Sequence, residues 1–333
     1  MLLLLFSFSP SDISPWSSEP PIIKGVYLSP GVIYSSYGLE KIYHLMDLGL
    51  LNTAVLDIKD EKGRVMFSLY KDFIREAKER GIYLIARQSV FKDRDFAFKE
   101  RGKYSLKDTQ GNIWFEEKSG YWVDPSMKEV RDYNVQILKK AFKAGFNEVQ
   151  FDYIRYPSGN KPYLNNSNKL VKLLQFLDTA ITQVQPGKKI SLTVYGYAVW
   201  GEVLVKEGQN LEKMAKRVDA VYPMLYPSHF HNEFMRDLTK EFRTYSIIYE
   251  SIRKARERLY NMEIRITPYI QAFDWKQSRL GKEYIINQLR AVHAAGGDGF
   301  ILWEAGGKYD RAFHELIDLD IELSGKRLRL FPL

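Results

Sequence analysis

The chain has 333 residues, 45% of them hydrophobic, enough to bury a large core as one barrel or two ordinary domains. It contains no cysteine, which excludes a disulfide framework, a thiolate nucleophile and a thiolate metal site. The formal charge of +8 comes from 49 Lys and Arg dispersed among 41 Asp and Glu, a mixed surface rather than a nucleic-acid footprint, and the one basic stretch, "RKARERL", falls on a predicted helix.

The chain opens on "MLLLLFSFSPSDISPW", whose apolar run is too short to span a bilayer and lacks the positive n-region of a signal peptide. Behind it, "SPSDISPWSSEPP" is a Ser/Pro-rich linker of the kind that separates a targeting segment from a folded domain. Residues 1–21 are therefore expected to be an apolar segment and linker, pointing to export and an extracytoplasmic location; a tail packed on a cytoplasmic protein is the alternative. No integral membrane span is expected.

From residue 22 short apolar runs alternate with longer amphipathic ones. Runs 22–29, 53–59, 82–88, 148–153, 190–197, 219–226, 264–273 and 299–305 are rich in Val, Ile and Tyr, are bounded by turn residues, and predict strands. Helices are predicted over 39–50, 70–81, 129–145, 170–184, 249–261 and 282–297, several ending in glycine. Eight strands each followed by a helix predict an α/β fold, a single (β/α)8 TIM barrel over residues 22–323 with a short tail at 324–333. A doubly wound sheet is the alternative, but "KGVYLSPG" after the first strand lacks the glycine spacing of a phosphate turn.

In such a barrel the site is built from the C-terminal ends of the strands. Those ends carry Asp57, Lys59, Asp60 and Glu61; Arg87 and Gln88 with Lys92 and Asp93 beyond; Asp152 and Arg155; Tyr195 and Tyr197; Tyr226, Ser228 and His229; Gln271 and Asp274; Trp303 and Glu304. Carboxylates, aromatics, amides and hydroxyls make a sugar-binding set, and paired carboxyls are what glycoside hydrolysis needs. The connection 89–125 is far longer than barrel loops usually are. Its "TQGN" turn predicts a small hairpin that covers the site, with Trp114, Tyr121 and Trp122 as binding surface. "DEKGRVMFS" after the second strand predicts a second hairpin, and "GEVLVKEGQN" at 201–210 with the helix after it reads as structural.

The motifs "GVYLS", "LNTAVLDIKDEKG", "VFKD", "WVDPS", "EVQFDYIRYPSG", "PMLYPSHF", "PYIQAF" and "DGFILWEA", in this order, resemble those of the bacterial "putative glycosyl hydrolase domain" family, from about residue 22 to 310. The resemblance implies a (β/α)8 barrel distantly akin to α-amylase-type enzymes. Onto this chain it carries Asp57, Asp152, Arg155, Tyr226, Ser228, His229, Gln271 and Trp303. Glu304 stands where the family commonly has a neutral residue, which counts against a catalytic role for it.

Asp152, at the end of the fourth strand, is expected to be the nucleophile or base, with Asp57 or Asp93 as its partner; a structural ion pair with Arg155 is the plainer alternative. Arg155 is expected to orient Asp152 and hold it ionised. Arg87, Lys59, Tyr195, Tyr226, Ser228, His229, Gln271, Trp303 and Trp122 are expected to contact substrate. His229 and His231 alternate like metal ligands, but two histidines without a third ligand do not make a zinc site, and neither metal nor cofactor is expected. No glutamate stands out as the general acid after the fifth or sixth strand. The expected function is hydrolysis of a glycosidic bond in a polysaccharide or cell-envelope glycan. A non-catalytic glycan-binding barrel is the alternative, nucleic acid is not an expected partner, and the pattern sets no oligomeric state.

Overall fold

Apolar runs that alternate with amphipathic helices leave the strands no solvent-facing side, and they assemble into a parallel sheet closed on itself. The computed structural model describes residues 22–325, apart from residues 166, 202–203 and 276–282. Strands β1 (Ile23–Leu28), β2 (Thr53–Lys59) and β3 (Tyr83–Ser89) are followed by a two-stranded hairpin, β4 (Phe115–Glu116) and β5 (Gly120–Tyr121). Then come β6 (Glu148–Asp152), β7 (Lys189–Tyr195), β8 (Ala220–Leu225), β9 (Arg265–Ile266), β10 (Tyr269–Gln271) and β11 (Gly299–Trp303). The order round the barrel is β1-β2-β3-β6-β7-β8, then β9 and β10 as one stave, then β11 back to β1. The expected (β/α)8 barrel is borne out. Residues 1–21 and 326–333 lie outside the described residues.

Period-two alternation sorts the side chains of each stave. Inward-facing Ile23, Tyr27, Val55, Ile85, Tyr222, Tyr269 and Ile301 form an interior cluster distinct from the larger one between staves and helices. At the foot of the barrel, where side chains serve stability rather than chemistry, Glu148 is fully buried. It pairs with Arg265 and accepts hydrogen bonds from Ser191 and from Tyr83 (3.1 Å).

The predicted strand 264–273 is two pieces. Pro268 has no N–H to donate to a ladder, so β9 pairs with β8 through Arg265 and Ile266, and pairing resumes at Tyr269. The helix predicted over 249–261 is Lys240–Arg258. Its Thr244-Tyr245-Ser246 run is a weak helix former, and the burial of Ile247, Ile248 and Ile252 overrides that.

The long connection after β3 lies against the rim of the C-terminal face, where Trp122 meets the Tyr153 and Arg155 side chains, but its tryptophans are buried rather than facing the cavity. The predicted turn is present, with Asp108 accepting from the Gln110 and Asn112 amides and Lys107 bridging Ile113. Behind it Trp114 is fully buried and donates to the Lys161 carbonyl (3.2 Å). The turn after β2 is also formed, Lys59 bridging Val65.

Gly299, the first residue of β11, has φ +119° and lies against Ile23 of β1 where the barrel closes. A Cβ there would sit 1.9 Å from the Ile23 carbonyl oxygen. Gly299→Ala is expected to cost about 3 kcal/mol, the upper end for an L residue forced into such a conformation, read as a lower denaturation midpoint with an unchanged slope. Unchanged stability would show that this seam can shift.

Candidate active site

The same alternation that buries Tyr27, Val55 and Ile85 turns Asp57, Arg87 and Asp152 inward at the C-terminal ends of three adjacent staves. Three charges in a barrel mouth are tolerable only if they satisfy one another. Arg87 Nη1 donates to Asp57 Oδ1 (2.5 Å), its Nε donates to Asp152 Oδ2 (2.8 Å), and its Nη2 also contacts Asp152. The Tyr27 hydroxyl donates to the other Asp57 oxygen (2.7 Å). Asp152 Oδ1 accepts from the Thr193 hydroxyl (2.6 Å) and from the Tyr153 backbone N–H (2.7 Å). That last bond comes with Tyr153 at φ +50°, a left-handed conformation sparse among non-glycine residues and concentrated at functional sites.

The two aspartates diverge although they share one guanidinium. At Asp152 burial pushes the pKa up, but the Arg87 charge, the Thr193 hydroxyl and the Tyr153 amide outweigh it, and the carboxyl titrates below the usual aspartate range. At Asp57 burial prevails over Arg87 and Tyr27, and the pKa is raised. Any proton shared by this cluster therefore resides on Asp57, and Asp152 is the constitutive anion.

Above Asp152 lies a cavity of about 520 Å³, within the range of small-ligand sites. Arg87, Asp152, Trp303, Tyr226, Tyr269 and Thr193 line its depth, while Tyr153, Arg155, Tyr195 and His229 are among the residues nearer the rim. The Trp303 ring lies 4.2 Å from that of Tyr27 and 4.9 Å from the Arg87 guanidinium. Among the described residues three carboxylates line this space: Asp152, Glu61 and Glu207. Glu61 is held by the Tyr153 hydroxyl (2.9 Å) and by Lys92 (3.1 Å). The Glu207 carboxylate has no hydrogen bond or ion pair among the described residues, while its backbone carbonyl accepts from the Tyr156 N–H (2.8 Å), tying its loop to the segment that follows Asp152.

Several expected site residues sit elsewhere. Lys59 and Asp93 form a sealed pair (2.8 Å), with Asn134 as a second acceptor for the ammonium; both are buried, and Asp93 also caps a short helix at Phe96. Neither lines the cavity. Arg155 does not bond Asp152: it donates to the Tyr156 carbonyl (3.0 Å) and stacks between the Trp122 and Tyr195 rings. Arg87 takes the role expected of it, because a residue on the neighbouring stave reaches Asp152 directly. Trp122 is buried and supports Arg155 from behind, and Gln271 braces the turn after β8 by accepting from the Ser228 amide (3.1 Å). Glu304 accepts from the Lys308 amide in its own turn. Tyr27 and Thr193 were legible as inward positions on their strands, but Glu207 lies in the segment expected to be structural, which carries no periodic signal. Among the described residues no three His, Asp or Glu side chains converge as a metal site would require.

A closed parallel barrel with an ionised carboxylate at its C-terminal mouth has the architecture of the glycoside hydrolase barrels. The chain belongs to the family described as "Putative glycosyl hydrolase domain", whose model matches residues 25–309. Among solved structures it is similar to the PgaB (BpsB) glycoside hydrolase domain from Bordetella bronchiseptica, at 15% identity and TM-score 0.65, covering 92% of this chain and 98% of that one. It is also similar to the beta-galactosidase from the psychrophilic Marinomonas ef1, at 10% identity and TM-score 0.66, covering 92% and 60%. A third is the endo-beta-1,4-mannanase from Thermotoga petrophila, at 13% identity and TM-score 0.59, covering 94% and 79%. At these identities the likeness is one of fold. No curated protein matches the sequence.

Removing Arg87 isolates two buried carboxylates. Arg87→Met is expected to cost about 3–5 kcal/mol at neutral pH, as does breaking a buried pair from one side. Because Asp152 has a depressed pKa in the folded protein, its stabilising contribution is present above the unfolded value and is lost as pH falls through the folded one. In Arg87→Met no cation opposes burial and only the neutral donors of Tyr27, Thr193 and Tyr153 remain, so stability should instead improve on mild acidification, and the acid limb of any activity profile should move to higher pH. Chemical unfolding between pH 4 and 8 reads the first, and an unmoved acid limb would show that Arg87 does not set the charge of Asp152.

Proposed function

We propose that this chain hydrolyses glycosidic bonds, with Asp152 as nucleophile or base and Glu207 as general acid. The observation that carries the reading is Asp152 itself: a buried carboxylate held ionised by four donor contacts, facing a cavity walled by Trp303, Tyr226 and Tyr269. Aromatic faces suit the C–H surfaces of a sugar ring, and a fixed anion suits the positive charge that develops as a glycosidic bond breaks. The acid must be able to carry a proton into the transition state. Of the two other carboxylates, Glu61 is engaged by Lys92 and the Tyr153 hydroxyl, whereas the Glu207 side chain makes no hydrogen bond or ion pair among the described residues and so can meet a leaving-group oxygen. Arg155 and the Tyr195 hydroxyl, which lies 3.0 Å from Ser158 Oγ, offer donors to sugar hydroxyls at the rim. Family membership supports the reaction class. The apolar and Ser/Pro-rich residues 1–21 support an extracytoplasmic glycan as substrate.

Aryl glycosides and oligosaccharides of several linkages test the assignment. Asp152→Asn is expected to abolish turnover while leaving the fold intact, with a lower melting temperature because its amide nitrogen must face one of the donors that Asp152 accepts from. Glu207→Gln should lose roughly 10²- to 10⁴-fold on oligosaccharides, the span typical of a general acid, but far less on aryl glycosides whose leaving group needs no proton. Full activity in Asp152→Asn overturns the mechanism, equal losses of Glu207→Gln on both substrate types remove Glu207 as the acid, and binding without turnover in the wild type identifies a glycan-binding barrel instead.

A further inference from the structure

The cavity above Asp152 does not end at its rim. A second, shallower groove of about 670 Å³ shares Tyr195, His229 and Phe230 with it, so the two spaces adjoin. The groove runs on past Ser228, His231 and Asn232 to Trp275. We propose that this groove is a second sugar-binding region that holds the continuation of a polysaccharide chain whose scissile bond lies at Asp152, with Trp275 as the platform for a ring remote from the chemistry. The proposal rests on the glycosidase reading and specifies its substrate as a chain of several sugars rather than a disaccharide.

Three observations carry it. Trp275 is 54% exposed, an unusual place for so large an apolar ring, and it lines the groove that adjoins the candidate catalytic cavity. Among the described residues the lining holds neither carboxylate nor Lys or Arg; it combines aromatic faces with the hydroxyl, imidazole and amide groups of Ser228, His229, His231 and Asn232, which fits a polyhydroxylated chain. Ser228 is 3% exposed, and its hydroxyl has no hydrogen-bond partner among the described residues although Gln271 fixes its backbone amide, so a polar group is held in place with bonding capacity left over.

Binding can be read without turnover. Calorimetric titration of Asp152→Asn with cello-, manno- and chito-oligosaccharides of two to six units should show affinity rising with length for at least one series. Adding Trp275→Ala should weaken the longest member about tenfold, the scale of one stacked ring, while leaving the disaccharide within twofold, and Trp275→Phe should restore most of the loss. The unchanged affinity for the disaccharide reports that the alanine variant is folded. Affinity independent of length in every series, or an equal loss at all lengths in Trp275→Ala, overturns the proposal. Absence of turnover in the wild type with length-dependent binding intact would remove the glycosidase reading and leave the groove standing.

Discussion

One guanidinium holds this barrel mouth together. Arg87 lies on the stave between those of Asp57 and Asp152 and reaches both. Without it the mouth would contain two uncompensated buried carboxylates, each costing several kcal/mol; with it the mouth carries one surplus negative charge when both aspartates are ionised. The surrounding groups decide where that surplus rests. Besides Arg87, Asp152 receives the Thr193 hydroxyl and the Tyr153 amide, whereas Asp57 receives the Tyr27 hydroxyl alone among the described residues, and so the charge is concentrated on the carboxylate that faces the cavity.

The outer layer of the site serves that arrangement. The long connection after β3 was expected to be a lid with aromatic binding residues, but its tryptophans are turned inward: Trp114 closes against the Lys161 carbonyl and Trp122 backs the Arg155 side chain. Stacking on Trp122 and Tyr195 fixes Arg155 at the rim. Lys59 and Asp93 act in the same spirit, joining the end of β2 to the start of the long connection through a pair shielded from solvent.

Much of this was legible in the chain. The eight staves follow from apolar runs at regular spacing, and the site's face follows from the barrel rule, so Asp57, Arg87, Asp152, Tyr226 and Trp303 could be named from their positions at strand ends. Pairing was harder, because it is a property of neighbouring staves. Arg155 is three residues from Asp152 in sequence, yet Arg87, 65 residues earlier, is the residue that bonds it. The bulge between Asp57 and Lys59 is likewise silent in sequence, and it separates a residue that faces into the barrel from one that faces the helices. Glu207 was overlooked because loop residues obey no period, and the anchoring of its carbonyl by the Tyr156 N–H helps hold it at the cavity.

The break at Pro268 divides the barrel into two unequal walls. In ring order the β9–β10 stave stands diametrically opposite β3 and therefore opposite Arg87. Its two pieces each register only two residue pairs with β8, whereas β2 and β3 register six. Amide hydrogens on the interrupted wall should accordingly exchange with solvent sooner than those of β2, β3 and β6. That wall also gives rise, just beyond Gln271, to Trp275 and the groove it lines. The barrel thus pairs a side whose ladder is interrupted with a side whose ladders run unbroken and on which the charges are fixed.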